Sequence, residues 1–212
     1  MSDAIIITGT DTGIGKTIFA AALTGALAAS YWKPVQAGLA GETDSQTVAR
    51  LSGCEVLPET WRLAMPASPH LAAEAEGRLI DPARLALPDI AGRLVVEGAG
   101  GLMVPLNRDT LIVDVFARWR APVVLCARTE LGTINHTLLS LAALRRAQCP
   151  VLGVAFIGAA QPAVQHTICD FGQVAQLGRL PILDRLTPQT LSAAFAEGFD
   201  LQSFTAPPKA RP

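Results

Sequence analysis

Aromatic and charged residues are both scarce in this chain, at 5% and 17% of its 212 residues. Basic and acidic residues nearly cancel, 17 Lys and Arg against 18 Asp and Glu, and no long basic run occurs. That balance argues against nucleic acid as a main partner. The apolar stretches are short or interrupted, well under the ~18 residues that cross a bilayer, so no membrane span is expected. No stretch near Met1 has the basic, apolar and cleavage-site order of a secretion signal. Four cysteines, Cys54, Cys126, Cys149 and Cys169, form no Cys-x-x-Cys pair and have no histidine at metal spacing. Buried free thiols behaving as small hydrophobes are the reading for them. A soluble, cytoplasmic protein is expected.

Hydrophobic residues, by contrast, make up half of the chain, ample for a core. No internal repeat or linker interrupts it. A single domain over 1–206 is expected, with the Pro-rich 207–212 as a frayed, disordered tail. Short apolar runs alternate with Ala- and Leu-rich segments, the pattern of a parallel sheet wrapped by helices. Strands are expected at 4–8, around 34–36, at 93–97, 122–127 and 151–157, and near 177–181. Helices are expected at 16–29, 42–52, 81–91, 110–118, 132–147 and 161–175, and near 188–197. Residues 57–70, with Pro58, Pro66 and Pro69, read as a loop. The fold class is therefore α/β, a mostly parallel sheet with helices on both faces, and its ligands belong along the carboxyl edge of the strands.

The most informative stretch is Gly9-Thr10-Asp11-Thr12-Gly13-Ile14-Gly15-Lys16-Thr17, placed between the run Ala4-Ile5-Ile6-Ile7 and the helical Ile18-Phe19-Ala20-Ala21. A glycine-punctuated turn from a buried strand into a helix converges backbone N–H groups on an anion. Lys16 then reaches the outer phosphates of a nucleoside triphosphate and the Thr17 hydroxyl holds magnesium. The spacing is unusual, because five residues separate Gly9 from Gly15 and Thr10 stands where the first glycine normally sits.

Weaker signals gain weight beside that loop. Glu97, in Val96-Glu97-Gly98-Ala99-Gly100-Gly101, sits at a strand tip, either as an exposed turn residue or as a magnesium carboxylate. The glycines after it admit close backbone approach to a ligand. Lys33, fixed by Pro34, is either an ordinary surface lysine or an ammonium aimed at an anionic reaction centre. Asp44, in Glu42-Thr43-Asp44-Ser45, either serves a helix start or supplies a second carboxylate to the metal. Gly132-Thr133-Ile134-Asn135-His136 opens a helix that can receive a carboxylate. His136 there is an acid–base candidate or a residue satisfied locally, and His70, in Pro66-Ala67-Ser68-Pro69-His70, has no evident partner.

Together these segments resemble the dethiobiotin synthetase family of P-loop NTPase fold. The likeness rests on Thr8-Gly9-Thr10-Asp11-Thr12 leading to Gly15-Lys16-Thr17, then Lys33-Pro34-Val35, Asp44, Ser68-Pro69-His70, the 96–101 segment and the 132–136 segment. The resemblance implies a homodimeric ligase taking 7,8-diaminononanoate, CO2 and ATP with Mg2+. It implies Lys33 and Lys16 as catalytic groups. Thr12, Gly13, Ile14, Gly15, Lys16, Thr17, Asp44, Glu97, Gly98, Ala99 and Gly100 meet the nucleotide, together with Pro181, Ile182 and Leu183. Thr17, Asp44 and Glu97 hold the metal, while Lys33, Ala37, Gly101 and Asn135, the last from across the dimer, meet the substrate.

Several positions depart from the family pattern. Ala37 stands where Ser or Thr is common, and Phe156-Ile157-Gly158 stands where an adenine-reading Asn often follows a strand. Glu130 replaces a basic or small residue, and the 28–32 connection is short, which is expected to trim one edge of the sheet. Two other functions compete. Partitioning-type ATPase switches carry a second lysine near the loop start, where this chain has Asp11. A non-catalytic nucleotide-binding module would leave Lys33, Asp44 and Glu97 idle.

Overall fold

The computed structural model describes residues 3–205, so the expected tail at 207–212 lies outside the described residues. The β-branched run Ile5-Ile6-Ile7 forms the middle of β1 (Asp3–Gly9). Its side chains alternate: Ile5 and Ile7 pack in one core layer, Ala4 and Ile6 in another. Strand β1 lies at the centre of an all-parallel seven-stranded sheet in the order β4-β2-β6-β1-β7-β8-β9. The other strands are β2 (Ser30–Trp32), β4 (Val56–Leu57), β6 (Arg93–Gly101), β7 (Val123–Arg128), β8 (Val151–Ile157) and β9 (Gln176–Leu180).

Helices α1 (Lys16–Leu27), α2 (Asp44–Ser52) and α7 (Pro188–Gly198) bury their apolar faces on the Ile5 side. Helices α3 (Pro69–Ala75), α4 (Ile112–Trp119), α5 (Thr133–Arg146) and α6 (Pro162–Gly172) cover the Ile6 side. A sheet buried on both faces explains the near-continuous apolar strands. Chain direction across the sheet reverses at β1, which β6 and β7 flank. The carboxyl end of β1 is thus a topological switch point, where open α/β sheets place their ligands.

Four elements differ from expectation. The run at 34–36 is β3 (Val35–Ala37), but it leaves the main sheet to pair with β5 (Trp61–Leu63). Pro34 has no N–H to donate to a ladder, so β2 stops at Trp32 and the chain steps outward. Residues 57–70 are not a plain loop. They contain β5 and the start of α3, and Pro69 occupies the first helical turn, where a missing N–H costs nothing.

The helix expected at 81–91 is a single 3-10 turn at Pro82–Arg84. Side chains of α4 take its carbonyls instead: Arg118 donates to Pro82 O at 2.9 Å and Trp119 Nε1 to Leu85 O at 2.7 Å. Finally, the short 28–32 connection does not trim an edge. Ala28 ends α1 in a left-handed turn (φ 48°), and Ser30–Trp32 enters at once as an inner strand, with β4 outside it.

Helix α7 and the turn after it are held to α1 by four of the chain's seven phenylalanines. Phe195 and Phe199 stack at 4.8 Å between centroids, and Phe19 lies 5.3 Å from Phe199 and 6.2 Å from Phe204. Phe195→Ala should open a cavity there and lower the unfolding free energy by about 3–5 kcal/mol. Urea denaturation checks this; a midpoint unchanged from wild type contradicts the packing role.

Candidate active site

Gly9 ends β1 in a tight spot: a Cβ there would lie 2.5 Å from Ile14 Cδ1 and 2.9 Å from Lys16 Cδ, so both side chains would have to shift. The loop then closes over the strand end, with Thr10 N–H bonded to Cys126 O of β7 at 3.1 Å. Gly15, at φ 95°, is the N-cap of α1, and no side chain caps that helix. The N–H groups of the first turn are therefore free for an anion. Lys16 curls back so that Nζ donates to Asp11 O at 2.8 Å. Burial pulls its pKa down, and Lys33 adds to this, against an opposing pull from Glu97.

The centre of the site is Glu97, 1% exposed, on β6 opposite Ile7 of β1. Tyr31 O–H donates to Oε2 at 2.8 Å, Thr17 O–H to Oε1 at 2.9 Å and Lys33 Nζ to Oε1 at 3.2 Å. Tyr31 and Lys33 lie two residues apart, one on β2 and one just past it. Burial first, and the charge of Glu97 second, push the Tyr31 pKa well above its usual value, so the phenol remains a donor.

Asp44 arrives from another direction. Thr43 and Gln46 form a reciprocal capping box at the start of α2, and Asp44 N–H donates to Gln36 Oε1 at 3.3 Å. Asp44 pairs closely with Lys33 and accepts from Thr17 Oγ1 at 3.0 Å. Burial alone would lower the Lys33 pKa, but the two carboxylates outweigh it and the net shift is upward. Burial likewise opposes ionisation of Asp44, and the Lys33 ammonium prevails and lowers its pKa.

Thr17, Asp44 and Glu97 thus offer three oxygen donors around one point. Among the described residues no three His, Cys, Asp or Glu side chains gather as a metal cluster. Two carboxylates and a hydroxyl suit a hard cation such as magnesium, which draws its remaining ligands from phosphate and water.

Two cavities flank the phosphate loop. One, of about 460 Å³, is lined by Lys33, Gln36, Ala37, Asp44 and Ser68, and by Thr12, Ala99 and Gly100. The other, of about 690 Å³, includes Gly13, Ile14, Gly15, Arg128 and Ile157, with Pro181, Ile182 and Leu183 at its far side. Gly98 lends its carbonyl to Lys33 at 3.5 Å, and Gly101 packs over Gly9 O beside a smaller cleft. Asn135 and His136 are exposed on α5 and do not line the Lys33 cavity of their own chain. All four cysteines are free.

Sequence reasoning overlooked Tyr31, Gln36 and Arg128. Tyr31 is the chain's single tyrosine and shares a strand face with Lys33, a signal that was available. Arg128, whose Nη2 donates to Thr12 O at 3.1 Å, acts on a backbone group 116 positions away and left no local trace, while Gln36 acts on the nearby Ala37, Gly38 and Asp44. His70, without a partner in sequence, lies 3.0 Å through Nδ1 from Ser68 Oγ.

Comparison with known proteins places this architecture in context. A family model described as AAA domain matches residues 3–190. The chain is 61% identical over 211 residues to an ATP-dependent dethiobiotin synthetase BioD of Rhodopseudomonas palustris (strain HaA2), covering 98% of this chain and 99% of that one. It is 62% identical over 208 residues to the protein of the same name from Bradyrhizobium sp. (strain BTAi1 / ATCC BAA-1182), covering 96% and 99%. Among solved structures, a ParA family ATPase from Chlorobium tepidum TLS superposes with a TM-score of 0.57 at 9% identity, over 91% of this chain and 96% of that one. At that identity the likeness concerns the fold alone.

The electrostatics yield a signed expectation. Because folding raises the Lys33 pKa above 10.5, its contribution is complete below that pH and fades as pH rises through the higher folded value. Lys33→Met leaves Glu97 buried against one fewer donor and should cost about 3–5 kcal/mol. The difference from wild type should be constant between about pH 6 and 9 and shrink only above the ordinary lysine range. Urea unfolding across pH measures it; a difference that vanishes near neutrality contradicts the assignment.

Proposed function

The chain belongs to the family of ATP-dependent dethiobiotin synthetases, ligases of biotin biosynthesis, and from that premise we propose that it joins 7,8-diaminononanoate and CO2 at the expense of ATP. One amine takes up CO2 to give a carbamate, and the carbamate oxygen attacks the γ-phosphorus while ADP leaves with the bridging oxygen. The second amine attacks the carbamoyl carbon, the C–O bond to phosphate breaks, and the ureido ring closes. The observation that carries this reading is Lys33, a buried ammonium at the wall of one cavity, with a second lysine, Lys16, where the phosphate loop enters α1.

Such chemistry asks for alignment and charge neutralisation, with no covalent step on the protein. Lys16 exchanges the Asp11 carbonyl for the outer phosphates. Lys33 holds the carbamate and the transferring phosphoryl oxygens. The free N–H groups from Gly13 to Thr17 receive the β-phosphate side, and Gly98, Ala99 and Gly100 bring backbone close to the reacting groups. Thr17, Asp44 and Glu97 hold Mg2+, which when bound neutralises charge on the phosphate oxygens. Ala37 and Gly101 border the diamine, and Pro181, Ile182 and Leu183 border the base.

A homodimer completes the reading. Met103, Leu131 and Leu139 are exposed around α5, near Asn135. Pairing this face with a second copy brings the 132–135 helix start to the partner's cavity, where its N–H groups receive the substrate carboxylate. Free cysteines support a reducing cytoplasm. No helix among the described residues is long and apolar enough to cross a membrane.

Purified protein given ATP, magnesium, bicarbonate and 7,8-diaminononanoate should form dethiobiotin, detected by mass spectrometry, and folded Lys33→Met should not. No diamine-dependent phosphate release would sink the assignment.

The base cavity carries its own test. Ile18, Ile157, Leu180, Ile182 and Leu183 form its apolar wall, Arg128, Thr129 and Glu130 also line it, and its one side-chain amide, Gln161, is exposed. Apolar walls discriminate far less than buried hydrogen-bonding groups, so CTP and GTP should support turnover within roughly 100-fold of ATP in kcat/KM. Competition between nucleotides measures this, and discrimination above about 10⁴-fold would contradict it.

A further inference from the structure

Ser68-Pro69-His70 takes no part in the scheme above, yet the structure carries it to the reaction cavity. Ser68 is the N-cap residue of α3, a position where a hydroxyl normally accepts from a helical N–H. Here it makes no such bond. Its hydroxyl lies instead 3.0 Å from His70 Nδ1, while Ser68 lines the same cavity as Lys33 and Asp44.

The cavity's other polar groups are largely engaged. Lys33 is bound to Asp44 and Glu97. The Gln36 amide is spent on Ala37 O, Gly38 O and Asp44 N–H. Ala37 brings no hydroxyl to its part of the wall. Ser68 is thus a cavity-lining hydroxyl residue whose side-chain partner is an imidazole.

The backbone that carries this imidazole is held in place: the His70 backbone N–H donates to Pro105 O at 3.4 Å, and α3 buries Pro69, Ala72 and Ala73. The ring itself is half-buried, open to exchange with water. The charged groups facing it are Glu74, one turn along α3, and Arg108 of the loop after β6. Glu74 and Arg108 bind each other at 2.6 and 2.5 Å.

Ring closure leaves a proton on the attacking amine that must be removed. We propose that Ser68 and His70 are a proton relay for that step, an inference that rests on the ligase reading above. The amine N–H donates to Ser68 Oγ, and the Ser68 hydroxyl donates to a neutral His70 whose own proton is on Nε2. As nitrogen bonds to the carbamoyl carbon, phosphate leaves with the electron pair of the breaking C–O bond. The amine proton passes to Ser68 Oγ, and the hydroxyl proton passes to His70 Nδ1. The imidazolium then gives up one proton to water and, by proton exchange with solvent, returns to the tautomer protonated on Nε2 with Nδ1 free to accept again.

His70→Asn keeps an acceptor for the Ser68 hydroxyl but cannot take up a proton, and Ser68→Ala removes the hydroxyl. Each should lower kcat for dethiobiotin roughly 100-fold, with KM for ATP and the urea midpoint near wild type. Ser68→Thr should restore most of the rate. Wild-type kcat in either His70→Asn or Ser68→Ala overturns the relay while leaving the ligase reading intact. A wild type that forms no dethiobiotin overturns both.

Discussion

One carboxylate organises this molecule. Glu97 is enclosed in the middle of β6, which continues to Gly101 rather than ending at residue 97 as expected, and there an ionised group is costly unless donors surround it. Its donors come from three separate places: Tyr31 in β2, Lys33 just beyond β2, and Thr17 in the first turn of α1. Each must arrive at the correct depth. The parallel pairing of β2 and β1 on either side of β6 brings them there. The sheet order and the site geometry are thus one constraint, because shifting either neighbouring strand by a residue would turn these side chains to the opposite face.

From this follows the charge state of the site. Lys16 and Lys33 oppose Asp44 and Glu97, so the four groups are balanced before any ligand arrives. A polyanion entering alone would upset that balance, and a polyanion with a divalent cation does so far less. Lys16 is the group best able to respond. Its partner is a backbone carbonyl of the loop itself, weaker than the carboxylates that bind Lys33, and burial already opposes its charge. Lys33 is anchored from two sides and acts as fixed charge.

How much of this was legible in the sequence follows from how local each cause is. The phosphate loop was legible because strand, glycine turn and helix are contiguous, and each obeys a short-range rule. Lys33, Asp44 and Glu97 were ambiguous one by one, each with an ordinary surface explanation, and only the sheet brings them within contact. The helix expected at 81–91 failed for a local reason and a distant one. Pro88, inside the segment, has no N–H to donate and clashes with the preceding turn of a helix, and Arg118 and Trp119 take the carbonyls of Pro82 and Leu85. Residues 34–36 had the right local conformation, but which sheet they join depends on Trp61–Leu63, some 25 positions later. Tyr31 alone was within reach, through its period-two relation to Lys33.

Fold and chemistry separate at the loop start. A ParA family ATPase shares this architecture at 9% identity, so the scaffold by itself selects no reaction. Asp11 occupies the place of the second lysine that partitioning-type loops carry. Its carboxylate accepts from the Thr12 N–H at 2.7 Å and its carbonyl accepts from Lys16. A lysine at this position would add a cation to the phosphate side. Here the second ammonium comes from the end of β2 instead, and β3 with β5 builds a cavity wall of Ala37, Pro66 and Ser68 in front of it. The cation thus stands at the strand end, in the wall of a cavity beside the phosphate loop, rather than within the loop itself.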